Sequence, residues 1–503
     1  MKPTIEFQGH TIPAEDFFQR YQRAATALSA AGVKPGDVVA MMMRNGPAML
    51  EVMLASRWIG ALWCPVNWHF KTDEVQYILT DSAAKVFIVD ADLMSGLAGL
   101  DLEGVGAYAA LPYDTHGAAG EAVPVSLASW ESFRDSDHGP AVAASQPRGA
   151  TFYTSGTTGR PKGIRRAEST PEQAAKGLTI LRHVLGFEPA MRALVSAPMY
   201  HSAPNSYAIG ASQENAHLFI ETRFDAEGTL ALIAQHRITH AYLVPTMYVR
   251  MLRLPQAVRG RYDVSSIRFV ASTGSPCPPD VKRAMIEWWG PVIHESYGAS
   301  ELGYMTRLDS HEALRKPGSA GKPLPGVEVC ILDEDGNPLP QGQAGLIYVH
   351  QPAYADFSYI GNDAARQRME RNGLKTLGDI GYMDEDGFLF IVDRSADMVI
   401  SGGVNIYPAE IEAALQMMPG VVDCAVFGIP DAEFGEALAC AVQPVAGSPL
   451  NSSAVQMYLK QRLADYKVPK VISFHDDMPR EDTGKIFKRK LREPYWAGVN
   501  RRI

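Results

Sequence analysis

Three features of the sequence predict a layered α/β protein of more than one domain. At 503 residues the chain exceeds a single ordinary hydrophobic core, so two or more domains follow. Across residues 13–90 helix-like and strand-like apolar patterns alternate, as in a sheet covered by helices. Short strands near 327–332 and 345–349 suggest a β-rich subdomain, and beyond residue 399 comes a compact unit of helix and strands. The expected architecture is α/β: a large N-terminal domain (1–393) with that subdomain, a junction at 394–398, and a small α+β C-terminal domain (399–503).

Residues 13–31 read as a helix, because Phe17, Phe18, Tyr21, Ala24, Ala25 and Leu28 recur at helical spacing and Gly32 can end it. A turn at Lys34-Pro35-Gly36-Asp37 leads into 38–43, a continuous apolar strand of the kind buried on both faces. A helix over 47–59, a strand at 61–66, a helix at 72–82 and a strand at 85–90 repeat the cycle. No Gly-x-Gly-x-x-Gly follows these strands, so a dinucleotide fold is not supported. Residues 92–148, rich in Gly, Ala, Ser and Pro, read as surface connections. In the C-terminal unit a helix over 408–418 starts with Pro at its first position, and strands follow near 421–428 and 437–444.

Apolar residues make up 46% and charged residues 20%, as in a soluble globular protein. The net charge of -9 argues against nucleic acid as the main partner. Cys64, Cys277, Cys330, Cys424 and Cys440 form no C-x-x-C pair, so neither zinc nor a disulfide framework is implied and a reducing cytosol fits. No signal-peptide pattern or bilayer-length apolar run is present, and a cytoplasmic location is expected.

Residues 151–164 carry the strongest chemical signal. After the β-formers Thr151, Phe152 and Tyr153 come Thr154 and the small residues Ser155, Gly156, Thr157, Thr158 and Gly159. Such a run can turn backbone N–H groups and hydroxyls toward one ligand. Arg160, Lys162, Arg165 and Arg166 follow as cations. The spacing is not that of a Walker A loop, yet donors backed by fixed positive charge suit a polyphosphate.

Further on, predicted strands at 193–197, 239–244 and 269–273 end in Pro198 to Ser202, Pro245-Thr246-Met247 and Gly274-Ser275-Pro276. Ligands gather at the carboxyl ends of strands in open parallel sheets, so these ends predict one crevice. His294-Glu295-Ser296-Tyr297-Gly298-Ala299-Ser300-Glu301-Leu302-Gly303 sets an aromatic ring beside a glycine, a face that a purine can approach. Ser300 can bond a phosphate, and Glu301 is a hard oxygen ligand suited to Mg²⁺.

The loop from Tyr153 to Gly163 closely resembles the signature of the adenylate-forming superfamily of acyl- and aryl-CoA synthetases, peptide-synthetase adenylation domains and firefly-type luciferases. The resemblance extends over nearly the whole chain, with its motifs in the expected order. It implies ATP, Mg²⁺ and coenzyme A as ligands. Thr154, Ser155, Gly156, Thr157, Thr158, Gly159 and Lys162 would hold the phosphates. Gly274, Ser275, Pro276, Glu295, Ser296, Tyr297 and Gly298 would surround the adenine, Ser300 would bond phosphate, and Glu301 would take the metal. Asp379, in Leu377-Gly378-Asp379-Ile380-Gly381, would accept the ribose hydroxyls beside Arg394, and Lys485 would bridge carboxylate and α-phosphate. His201, Asn205, Tyr207, Val244, Thr246, Gly274, Gly298, Gly303 and Tyr304 would line the acyl pocket, and Ser401, Gly402 and Gly403 the pantetheine channel.

The implied reaction is AMP-forming acid–CoA ligation, with Lys485, Glu301, Thr154 and His201 as the catalytic set and no covalent protein intermediate. The implied C-terminal domain is mobile, turning about 394–398 between the two half-reactions. The family pivot is commonly Asp or Lys, and Ala396 stands there instead. Pocket candidates without Arg or Lys point to a mainly apolar aliphatic or aryl monocarboxylate. An enzyme loading a carrier protein, a luciferase-type oxygenase and a non-catalytic nucleotide-binding relative remain the alternatives.

Overall fold

The computed structural model describes residues 3–111, 127–154, 161–394, 397–401, 404–431, 433–480 and 486–497. These fall into two compact units. One comprises Met1–Arg315, Leu324–Val327 and Gln351–Met369; the other comprises Lys316–Pro323, Glu328–His350 and Glu370–Ile503. Among the described residues no helix is long and apolar enough to cross a membrane.

The first unit begins as the apolar alternation requires. Helices Ala14–Ala30, Pro47–Trp58 and Thr72–Ser82 alternate with strands Val38–Met42, Leu62–Pro65 and Ala84–Asp90, within two residues of the predicted bounds. The strands are parallel, with Val38–Met42 between the other two. Every residue of Val38–Met42 is buried, so its unbroken apolar run is what a strand covered on both faces needs. The reading of 92–148 as surface connections is corrected. Strands Gly106–Ala110 and Ala128–Ser129 extend this sheet, and helix Trp130–Asp135 buries Trp130 completely. Small residues hid these elements, because Gly-Ala-Tyr-Ala-Ala has too little apolar bulk to register as a strand.

A second sheet places the candidate site. Within the first unit its strands run in the order His10–Pro13, Thr4–Phe7, His217–Ile220, Arg192–Val195, His240–Tyr242, Phe269–Ser272, Ile293–Ala299, Gly303–Leu308, and the six between His10–Pro13 and Gly303–Leu308 are parallel. Arg192–Val195 is followed in sequence by His217–Ile220 on one side and then by His240–Tyr242 on the other. Successive connections therefore diverge at its carboxyl end, the place where an open α/β sheet leaves a crevice. Phe152–Thr154, Lys162–Arg166 and Phe357–Tyr359 form a separate antiparallel sheet.

In the second unit Glu328–Leu332, Gly345–His350, Leu374–Met383 and Leu389–Arg394 form an antiparallel sheet. A further ribbon, Val421–Asp431 with Gly435–Pro444, is buried on both faces. Cys424 and Val426 meet helices Pro408–Gln416 and Ser452–Lys460 on one side, and Ala425 and Phe427 pack with Leu491 of helix Lys488–Trp496 on the other. The junction expected at 394–398 lies inside this second unit.

Candidate active site

Ser155, Gly156, Thr157, Thr158, Gly159 and Arg160, the loop expected to bind phosphate, lie outside the described residues, as do Ala396, Gly402, Gly403 and Lys485. The loop's flanks are described. Thr154 and Lys162 are directly opposed across the antiparallel pair, so hydroxyl and ammonium start side by side.

Glu301 is where the predicted residues meet. Its Oε1 accepts the Thr154 hydroxyl at 3.5 Å and the Tyr359 hydroxyl at 3.1 Å. The Lys162 ammonium stands 5.2 Å from the Tyr359 ring centroid, within cation–π range. Burial, with Glu301 alongside, pushes the Tyr359 phenol well above its ordinary pKa, so it stays a donor. Sequence reasoning missed Tyr359, because an aromatic on a short strand reads as packing and only the sheet pairing brings it here.

Arg166, counted among the phosphate cations, is corrected. Its guanidinium donates to the Ser300 and Glu301 carbonyls at 2.8 Å each and to the Ala355 carbonyl at 2.9 Å. It fixes the backbone that carries Glu301 and is taken up by those bonds. Arg165, on the opposite face of the strand, is exposed.

Ser300 donates to the Ser202 hydroxyl at 2.8 Å, which joins this cluster to the start of helix Ser202–Gln213. His201 precedes that helix. Its Nε2 is buried with no hydrogen-bond partner among the described residues, and burial lowers its pKa to about 4. The ring is therefore neutral at pH 7. Asn205 is different, since its Oδ1 accepts from Trp63 Nε1 at 3.1 Å and its Nδ2 donates to the Met199 carbonyl at 2.8 Å. It can supply a wall but little free hydrogen bonding. The hydroxyls of Tyr207 and Tyr304 are buried and unpartnered among the described residues. Val244 is buried before helix Pro245–Leu252, and Thr246 lies in its first turn.

Around the expected adenine site, Gly274 has φ +97° and a Cβ there would meet nothing within 4 Å, so this backbone is open to a ligand. Ser275 beside it is half-buried and Pro276 exposed. Gly298 owes its identity to packing instead. It sits at a bulge, where a Cβ would lie 2.6 Å from the Gly303 carbonyl oxygen, and a Cβ on Gly303 would strike the Tyr354 ring. The Ser296 carbonyl accepts the Thr273 hydroxyl at 2.7 Å, and Tyr297 is opposite Thr306. Glu295 forms a buried ion pair with Lys282, Nζ to Oε2 2.6 Å. Burial raises the Glu295 pKa, and Lys282 works against that rise.

In the second unit Asp379 and Arg394 are opposed across two strands, and Arg394 Nε donates to Asp379 Oδ1 at 3.1 Å. Asp379 is buried while the Arg394 side chain is half exposed, at 51%. Ser401 ends strand Val399–Ser401 opposite Gly435.

The model of the AMP-binding enzyme family matches residues 2–356, and that of its C-terminal domain matches 410–485. The chain is an AMP-binding enzyme of the adenylate-forming superfamily. A feruloyl-CoA synthase from an Amycolatopsis species is 32% identical to it, over 98% of this chain and 95% of the relative. ATP-bound MatB from Rhodopseudomonas palustris is 30% identical with TM-score 0.85, covering 99% of this chain and 97% of that one. The o-succinylbenzoate CoA synthetase MenE from Bacillus subtilis, solved with its acyl-adenylate intermediate, is 26% identical with TM-score 0.80, covering 97% and 95%.

For this AMP-binding enzyme the Tyr359 contact makes a direct test. Tyr359→Phe keeps the ring under Lys162 and removes only the hydroxyl that Glu301 accepts. The expected loss is about 1.5–3 kcal/mol in the adenylation barrier, the range for hydrogen bonds to charged groups. Pyrophosphate exchange in a variant of unchanged melting temperature reads it, and a wild-type rate would remove Tyr359 from the site.

Proposed function

We propose that this enzyme ligates a mainly apolar aliphatic or aryl monocarboxylate to coenzyme A in two half-reactions. A carboxylate oxygen attacks the α-phosphorus of ATP, the bond to the β-phosphate oxygen breaks, and pyrophosphate leaves. The coenzyme A thiol, losing its proton, then attacks the acyl carbon and expels AMP. The observation that carries the reading is the convergence of Thr154, Lys162 and Tyr359 around Glu301 in a chain of this family.

Catalysis is positioning and charge neutralisation. Thr154, Lys162 and the loop between them bind the β- and γ-phosphates. Gly274, Ser275, Pro276, Ser296, Tyr297 and Gly298 hold the adenine, and Asp379 with Arg394 holds the ribose. His201, Tyr207, Val244, Thr246 and Tyr304 border the acid. Lys485 neutralises charge between carboxylate and α-phosphate, and Ser401, Gly402 and Gly403 admit the pantetheine arm. Residues 399–503 turn about Ala396 between steps.

Among the described residues no three His, Cys, Asp or Glu side chains cluster as a metal cage. A single carboxylate flanked by hydroxyls fits Mg²⁺, which keeps waters and phosphate oxygens as its other ligands. Glu301 would hold it, and when bound it would neutralise phosphate charge. A cytoplasmic setting belongs to the same proposal, supported by five cysteines that are all free.

ATP–pyrophosphate exchange with a panel of acids, followed by thioester formation with free coenzyme A, tests the whole reading. Exchange without thioester would favour a carrier-protein acceptor, and absence of exchange with every acid would overturn it. Asp379→Ala should raise the apparent KM for ATP by about 1.5–3 kcal/mol of lost charge-assisted hydrogen bonding, with much less effect on the acid. Unaltered ATP affinity in a folded variant would free Asp379 from the ribose.

A further inference from the structure

Both strands that carry the candidate phosphate ligands are tied to one helix, Thr72–Ser82. Tyr153, just before Thr154, donates its hydroxyl to Asp81 Oδ2 at 2.7 Å. Pro161, just before Lys162, accepts the Tyr77 hydroxyl on its carbonyl at 3.1 Å. Tyr77 and Asp81 are four residues apart and so share one face of the helix. The Tyr77 and Tyr153 rings meet edge to face, with centroids 6.3 Å apart. Gly163 makes room for the Tyr153 ring: it is opposite Tyr153 in the strand pair, and a Cβ there would lie 2.7 Å from Tyr153 Cζ. Burial first, and the Asp81 bond next, raise the Tyr153 phenol well above its ordinary pKa, so it stays a donor at neutral pH. The helix is itself fixed, since Val75, Ile78 and Leu79 are buried in the core around strand Val38–Met42.

Alternation along the strands connects these anchors to the site. Tyr153 points to the helix, so Thr154 and its opposed partner Lys162 turn to the other face. On that face stand Glu301 and Tyr359. We propose that Tyr77 and Asp81 are positioning residues which hold Thr154 and Lys162 in place for the β- and γ-phosphates of ATP. The inference rests on the assignment of those phosphates to Thr154 and Lys162. Two anchors on one packed helix fix the spacing of the two ligands and their direction toward Glu301, so ATP binds without first ordering them. AMP lacks both phosphates and gains nothing from that order. Contacts that only supported the fold would change the affinities for the two nucleotides alike, or change neither.

Equilibrium binding of AMP, and of ATP with Mg²⁺, to the full chain tests this without knowledge of the acid. Asp81→Ala should weaken ATP about fivefold while AMP affinity stays within about twofold of wild type. Tyr77→Phe, which loses one neutral hydrogen bond, should weaken ATP about threefold. Asp81→Asn keeps an acceptor for the Tyr153 hydroxyl and should recover most of the Asp81→Ala loss. Tyr153→Phe removes the same bond as Asp81→Ala, so the two together should cost little more than either alone. AMP affinity near the wild-type value also shows that each variant is folded. Equal weakening of AMP and ATP, additive losses in the Tyr153→Phe and Asp81→Ala pair, or wild-type ATP affinity in Asp81→Ala beside a weakened Lys162→Met would overturn the proposal. If Lys162→Met itself binds ATP as the wild type does, the phosphate assignment falls and the anchoring role falls with it.

Discussion

Lys485→Ala should lower adenylate formation by about 10²–10³-fold, the usual effect of removing one group that stabilises developing charge. Thioester formation from supplied acyl-adenylate should stay within a few-fold of wild type. The asymmetry follows from the charges. In the first half-reaction an anionic carboxylate approaches an anionic α-phosphate, and without a cation between them their repulsion adds to the barrier. In the second, the acyl carbon attacked by sulfur is no longer paired with a carboxylate charge. Lys162, proposed for the β- and γ-phosphates, stands over the Tyr359 ring beside Glu301. Single-turnover measurement of each half-reaction checks this, and equal loss in both would show that Lys485 serves throughout or only supports the fold.

What the sequence conveyed of the site depended on whether a residue's role is local. Thr154 and Lys162 were legible because they flank one loop, and Glu301 because it follows a tyrosine–glycine pair at a recognisable distance. Tyr359 and Lys282 were not, since each acts on a residue more than ten positions away through sheet pairing or helix packing. Arg166 was misassigned for a related reason. A cation beside a phosphate loop reads as a phosphate ligand, and only the three carbonyls around it show where its donors point. Glycines divide the same way. Gly274 needs its freedom for an open backbone, whereas Gly303 is required by the Tyr354 ring against it. The fold was more legible than the site, because burial on both faces writes itself into strands such as Val38–Met42, except where alanine and glycine carry the strand.

Lys282→Met should destabilise the first unit by about 3–5 kcal/mol, because it leaves the Glu295 carboxylate buried without its partner. The two side chains are only 5% and 11% exposed, so water cannot take the place of the lost ammonium. Burial already raises the Glu295 pKa against the pull of Lys282, and without Lys282 it should rise further. A carboxylate with a folded pKa above its unfolded one binds its proton more tightly when folded. The deficit should therefore be full above the raised pKa and shrink as pH falls through it toward the ordinary carboxylate value. Adding Glu295→Gln to Lys282→Met should recover most of the loss at neutral pH, since an amide at that place carries no charge to desolvate. Chemical denaturation of the wild type and the two variants measures these steps. ATP affinity of the double variant then tests Glu295 at the adenine, because an amide oxygen still accepts the hydrogen bond expected from the purine amino group. A loss below about 1 kcal/mol in Lys282→Met, the range of solvent-exposed pairs, would mean that water reaches the pair and that Glu295 is free to turn toward a nucleotide.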